Sequence, residues 1–321
     1  MIRQHYEENN KLQTETIYLN NDIIIKEGSW IEVVCPTLEE IEFLKLKLNI
    51  PSDFLNSALD EEESAHIDFD DNKRLIILDI PLLDKSKNNL NSYTTTPFAI
   101  IHTNNNFITI SLQETDLVNV LLKKNKKIEP HKRVRLTLLF LYSLAMNYIT
   151  YLKKIDSQSK EVEKRLHNSM KNEELFNLME LNNSLVYFST ALNANKVIVH
   201  KLTRSDEFKK YEDDFDLLED TEIEFNQAIE MCSIYRGILS GMMDAYASII
   251  ANNLNIVMKT LAVITIVLSI PTLIASFFGM NFTNLPLSNN KYGFYIAFFS
   301  SFILSVISAI ILSRFTNKIK K

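Results

Sequence analysis

The amino-acid sequence predicts an α+β protein: an N-terminal cytosolic α/β domain, a long stalk helix and two C-terminal transmembrane helices. Three observations carry this prediction. Short β-rich runs alternate with helix starts between residues 16 and 112, and from about Glu114 the apolar residues recur at three-and-four spacing instead. Only 5 glycines and 7 prolines occur among 321 residues, so few positions interrupt a helix. Charge is segregated as well: 23% of residues are charged, yet the stretch from Leu261 to Leu312 holds only Lys291.

Taken in order, Met1 to Glu8 lacks a hydrophobic leader segment and carries early acids, which places the N-terminal part in the cytosol. Trp30–Val34 reads as a strand, and Thr37-Leu38-Glu39-Glu40 is a capping box that opens a helix to about Leu48. Pro51-Ser52-Asp53 reads as a second helix start. The acids Asp60–Glu63, with Asp68, Asp70 and Asp71, read as a solvated loop, because they lack the glycine and spacing of an EF-hand. Strands follow at Leu75–Ile80, Pro97–His102 and Phe107–Ser111.

The helical region comes next. Leu136–Leu152 is its most apolar segment, bracketed by His131-Lys132-Arg133 and Lys153-Lys154, and its length suits a buried helix of a soluble domain. From about Asp213 to Phe278 no proline intervenes before Pro271, so one helix runs from a charged pattern into a membrane-like one. Leu261–Phe278 and Tyr292–Leu312 are each long enough to cross a hydrocarbon core and carry no charge. Lys259, Arg314, Lys318, Lys320 and Lys321 flank them, which sets both termini in the cytoplasm and the loop from Asn281 to Lys291 outside. The expected division is 1–130 for the α/β domain, 131–257 for the helical region with its stalk, and 258–321 for two spans, at about 259–279 and 292–312, with their loop and basic tail.

Thr265, Ser269, Thr272 and Ser276 recur every three or four residues and so share one face of the first span. Continued backward, that face takes in Leu261 or Ala262, Met258, Asn255, Ala251, Ser248 and Asp244. A row of small hydroxyls with one amide and one carboxylate suits either the seam of a helix pair or the wall of an aqueous pore.

Gly279-Met280-Asn281 stands at the outer end of the first span and opens the loop. With that string in that position, after an α/β domain and a long helix and before a second span and basic tail, the sequence resembles the CorA family of divalent metal ion (magnesium) transporters over nearly its full length. The resemblance implies a funnel-shaped homopentamer in the plasma membrane, with each first span lining the pore. It implies that Gly279, Met280 and Asn281 form a selectivity filter for hydrated Mg2+. An ungapped count back from the motif puts Thr272, Leu261, Met258 and Asn255 on pore-lining and gate positions. The same count puts Asp244 on a regulatory metal site facing a neighbouring subunit, with Asp53 as its best partner and Asp220 as a candidate for a further cytosolic site. Mg2+ is then both the transported and the regulatory ion, no prosthetic group is implied, and the partners are identical subunits, the lipid bilayer and divalent cations, Co2+ or Ni2+ included. The chain departs from many family members in having Phe278 for tyrosine, Leu285-Pro286-Leu287-Ser288 for an acidic loop, and Ser269 for methionine.

Other classes find less in the residues. A net charge of −6 with no basic stripe argues against nucleic acid. No phosphate-cradling loop or nucleophile motif is present, so no enzyme is expected. The histidines, His5, His66, His102, His131, His167 and His200, form no metal-ligand spacing, and Cys35 and Cys232 read as unpaired core thiols. Asn281-Phe282-Thr283 matches a glycosylation acceptor, but a glycan there would block a pore. Two alternatives to a Mg2+ channel stand: a zinc transporter of the same superfamily, and a membrane-anchored sensor or scaffold.

Overall fold

The computed structural model describes residues 1–9, 11–19, 25–84, 92–124, 127–169, 172–280, 286 and 291–318. The chain starts with β1 (Ile2–Glu8), β2 (Lys11–Ile17) and β3 (Trp30–Val34), followed by helices α1 (Leu38–Lys47) and α2 (Ser52–Leu59). Strands β4 (His66–Asp70), β5 (Lys73–Asp84), β6 (Ser92–His102) and β7 (Phe107–Ser111) come next. The rest is helical: α3 (Asp116–Lys124), α4 (Arg133–Ser169), α5 (Asn172–Leu202), a short 3-10 turn at Asp206–Lys209, α6 (Glu212–Phe278) and α7 (Gly293–Lys318). Two compact units result, Met1–Met243 and Asp244–Lys321. The protein is therefore α+β, with a sheet domain, a long helix and a C-terminal helix as expected.

In the first unit the strands form one sheet in the order β2-β1-β3-β7-β6-β5-β4, antiparallel throughout except for the β3–β7 pair. Side chains of β3, β5, β6 and β7 point alternately to the two sides and give the sheet two apolar faces. Ile31, Val33, Leu75, Ile77, Ile101, Ile108 and Ile110 meet Leu44, Phe54 and Leu55 of α1 and α2. On the other face, Phe140 of α4 lies 5.3 Å from Trp30, 5.6 Å from Phe98 and 5.8 Å from Phe107, ring centre to ring centre. Farther along this face, Phe188 of α5 stacks edge-on against Tyr148. The capping box that opens α1 forms as read: Glu40 N donates to Thr37 Oγ1 and Thr37 N donates to Glu40 Oε2.

The structure adds strands that the periodicity does not announce. β1 is rich in polar residues, yet Ile2, Gln4 and His5 are buried. Their polar atoms are satisfied inside the fold: Gln4 Nε2 donates to Ser29 Oγ, and the His5 ring lies between Glu32 and Thr14 at 2.9 Å on each side. β5 and β6 also run past the ends read from sequence and include Pro81 and Pro97. Proline is tolerated where no ladder bond is needed. β4 stops at His66 opposite Ile77, and β7 stops at Ser111 opposite Phe98, so each proline lies where one neighbouring strand has ended.

Helix α5 supplies what those missing strand ends do not. Asp79 N donates to Asn195 Oδ1 at 2.9 Å while Asn195 Nδ2 donates to Asp79 O at 2.7 Å, as a further strand would. Tyr148 Oη donates to the same Asp79 carbonyl, and Tyr93 N donates to Ser184 Oγ. Burial pushes the Asp79 carboxyl up from its ordinary value to about 6. Cys232 is buried as expected, but Cys35 is not a core thiol: it is exposed at the turn after β3, with φ 47°. Asp60, Glu61, Glu62 and Asp71 are exposed, as read; Asp68 and Asp70 are exposed too but belong to strand β4 rather than to a loop, and Glu63 is half-buried.

Candidate functional site

In the first unit α6 is a core helix, with Asp214, Leu218, Thr221, Phe225, Ala228, Cys232 and Leu239 buried along one side. From Ser240 on, none of its described residues is buried. The apolar windows of α6 and α7 have 0% and 11% of their residues buried. That contrasts with α4, whose Leu136, Leu138, Phe140, Leu141, Leu144 and Leu152 are all buried in the sheet domain. Apolar helices left uncovered at membrane-spanning length are what a bilayer solvates and water does not.

Each helical residue turns the direction of the side chain by about 100°, so Asp244, Asn255, Met258, Leu261, Thr265, Ser269, Thr272 and Ser276 fall within a sector of about 120°. All of them are exposed, Met258 and Leu261 by 57% and 56%. Thr265, Ser269, Thr272 and Ser276 line one shallow concavity with Leu268, Leu273, Phe277 and Met280. The covered side of α6 is the opposite one, where Val263, Val267, Ile270, Pro271 and Ile274 are half-buried. On α7 the covered stripe consists of small residues, with Gly293, Ser301 and Ser305 buried and Ala297, Ser308 and Ala309 half-buried. The reading of the sequence did not pick out this apolar stripe of α6, although its spacing marks it. Among the described residues the hydroxyl face is the uncovered one.

The hydroxyls on that face have a defined polarity. Thr265 Oγ1 donates to Leu261 O at 2.9 Å, Ser269 Oγ to Ile266 O at 2.8 Å and Thr272 Oγ1 to Leu268 O at 3.0 Å. Each proton is thereby committed to the helix, and the outward lone pairs act as acceptors. Acceptor oxygens suit the water shell of a cation, whose bound waters point their protons outward. Lys259 turns about 120° away from Thr265, so its charge lies outside the sector.

At the top of α6, Gly279 N still donates to Ala275 O at 2.9 Å and Met280 N to Phe277 O at 3.3 Å, so both residues extend the helical turn. Asn281, the third residue of the motif, lies outside the described residues, as do residues 282–285 and 287–290. Asp244 is exposed at the start of the second unit, where its carbonyl accepts from Ser248 Oγ at 2.9 Å. Asp53 is exposed in the first turn of α2, and Asp220 is exposed on α6, both in the first unit. Asp214, six residues before Asp220, is instead buried and accepts from Arg135 Nη1 at 2.8 Å, which marks it as structural.

A family model described as "CorA-like Mg2+ transporter protein" matches residues 26–314. The "Cobalt/magnesium transport protein CorA" of Methanocaldococcus jannaschii is 29% identical over 290 residues, covering 89% of this chain and 90% of the relative. The protein of the same name from Thermotoga maritima is 25% identical over 270 residues, covering 82% and 75%. The complete structure of the CorA magnesium transporter from Methanocaldococcus jannaschii matches with a TM-score of 0.78 at 25% identity, over 98% of this chain and 96% of that one. A match of this extent, running through both the sheet domain and the two uncovered helices, leads to one conclusion: the chain belongs to the CorA-like Mg2+ transporter family.

Proposed function

We propose that this chain conducts divalent cations, Mg2+ foremost and Co2+ or Ni2+ besides, across the plasma membrane as a homopentamer with both termini in the cytoplasm. The observation that carries this reading is the uncovered row of acceptor hydroxyls on α6, which leads up to Gly279-Met280-Asn281. Copies of α6 around an axis turn that row into stacked rings. Mg2+ gives up its water reluctantly, and neutral oxygens that bind its hydration shell hold the ion without stripping it. Asn281 amide oxygens and Gly279 carbonyls form such a ring at the outer mouth, and Thr272 forms the next. Met258 and Leu261 form an apolar constriction that closes by drying, with Asn255 at its inner end.

Gating by cytosolic Mg2+ follows from acids at the subunit boundary. Mg2+ held between Asp244 of one subunit and Asp53 of the next favours the closed ring, with Asp220 in a supporting site. Loss of the ion leaves carboxylates that repel one another. In this scheme residues 1–130 and 131–257 sense the ion and transmit the signal, and residues 258–321 conduct.

The test is uptake into liposomes that hold a Mg2+-sensitive dye, with wild type compared with Asn281→Ala and Co2+, Ni2+ and Zn2+ added in parallel. Mg2+ uptake that the substitution abolishes is the expected result. Uptake of Zn2+ alone would move the chain to the zinc branch, and absence of flux for every ion at low Mg2+ would leave a sensor or scaffold.

A further inference from the structure

Glu7, near the end of β1, meets Glu129 and His131, which lie in the turn leading into α4. Each offers one ligand atom, and these atoms all lie within 4.8 Å of one another. His131 Nδ1 is 3.5 Å from Glu7 Oε2, close to the edge of about 3.3 Å expected of a tetrahedral site with bonds of about 2.0 Å. The turn is held in place: Lys132 N donates to Glu129 O at 3.0 Å across Pro130. Gly28, at φ 71°, lies against it, and a Cβ there would come within 3.4 Å of His131 Cβ. None of the three residues belongs to the pore face, the outer motif or the acids considered for gating.

We propose that Glu7, Glu129 and His131 form a binding site for a borderline divalent transition ion, Co2+, Ni2+ or Zn2+, on the sheet domain. One imidazole with two carboxylates suits these ions. Mg2+ prefers oxygen and keeps its waters, so the imidazole discriminates against it. The surrounding charges set the terms of binding. Lys132 Nζ and Lys127 Nζ stand 2.8 and 3.0 Å from the two Glu129 oxygens. Both Glu129 oxygens are thus engaged by ammonium groups, which a metal ion has to replace. Both lysines are exposed and flexible, and the metal displaces their ammonium groups from Glu129 as it binds. Competition from two ammonium groups and the N-terminus of α4 makes the site weaker than a site of the same ligands alone.

The experiment is a Co2+ titration of the purified full-length protein, followed by visible absorption and by counting bound metal. It is carried out in an Asn281→Ala, Asp244→Ala, Asp220→Ala background, so that sites assigned to conduction or gating do not contribute and the outcome does not depend on transport. His131→Ala is expected to remove one Co2+ per chain and to weaken binding by at least about tenfold, the lower end of what loss of even an outer partner costs a metal site. Lys127→Met with Lys132→Met is expected to tighten binding, and a large excess of Mg2+ is expected to leave Co2+ in place. Glu7→Gln reads the same site should His131→Ala lose its fold. An unchanged Co2+ count and spectrum in Glu7→Gln, or displacement of Co2+ by Mg2+, would overturn the assignment.

Discussion

Replacing Asn195 by leucine tests whether α5 completes the sheet in place of strands that end early. The side chain is fully buried, and its amide holds both backbone groups of Asp79 at 2.9 and 2.7 Å. Leucine is of similar size, so the packing term is small and the polar term dominates. The Asp79 carbonyl keeps Tyr148 as a donor, but Asp79 N is left buried without an acceptor. Two lost hydrogen bonds at about 1 kcal/mol each, with part of the 1–3 kcal/mol that an orphaned group costs, give about 3 kcal/mol. For a unit of this size that corresponds to a fall in melting temperature of about 6–12 °C. Trp30, the chain's 1 tryptophan, is buried on the same sheet and reports its unfolding by fluorescence. The full-length protein in detergent is heated at one fixed scan rate, because the midpoint of an irreversible transition depends on rate. Asn193→Ala, which removes an exposed amide bonded only within its own helix turn, is the control. If Asn195→Leu melted with the control, the amide would not be acting as a strand and the account of Pro81 and Pro97 would fail with it.

The Asp79 carboxyl, pushed up to about 6 by burial, is better accommodated protonated than ionised, so it costs stability as pH rises from 3.8 through 6 and costs none below. Asp79→Asn is therefore expected to melt higher than wild type at pH 7.5, by up to about 3 kcal/mol in stability, and level with it near pH 4; a lower midpoint at pH 7.5 would refute this. Thr272→Val keeps the shape of the side chain but removes the acceptor, and Mg2+ flux in liposomes should fall about tenfold for a loss of about 1.4 kcal/mol, with no change in melting temperature. Unaltered flux would take Thr272 off the conduction path. Asp244→Ala channels should keep conducting when Mg2+ is raised on the cytosolic side, and inhibition equal to wild type would place the regulatory site elsewhere.

Much of this protein was legible in its sequence because the deciding signals are local or periodic. The capping box at Thr37 and Glu40 closes within one turn, and the uncharged runs after Lys259 need only their length to be read. The hydroxyl face of α6 follows from the helical repeat alone, which sets Thr265 to Ser276 and the residues back to Asp244 on one side. What the repeat does not decide is which side of a helix is covered. That depended on where the apolar stripe at Val263, Val267, Ile270 and Ile274 came to lie, with half-burial on that side and none on the other.

Other features rest on partners far apart in the chain. β1 carries no apolar alternation, and its strand character rests on Ser29, Glu32 and Thr14, which satisfy Gln4 and His5. Pro81 and Pro97 argue locally against long strands, and only the early ends of β4 and β7, with Asn195 and Ser184 alongside, make them acceptable. The sequence by itself determined the class, the two spans and the polar face, because burial patterns repeat with the helix and strand periods. Only the tertiary structure decided the extent of the sheet, the exposure of Cys35 and the meeting of Glu7 with Glu129 and His131. Each of these depends on contacts between residues that no short-range pattern relates.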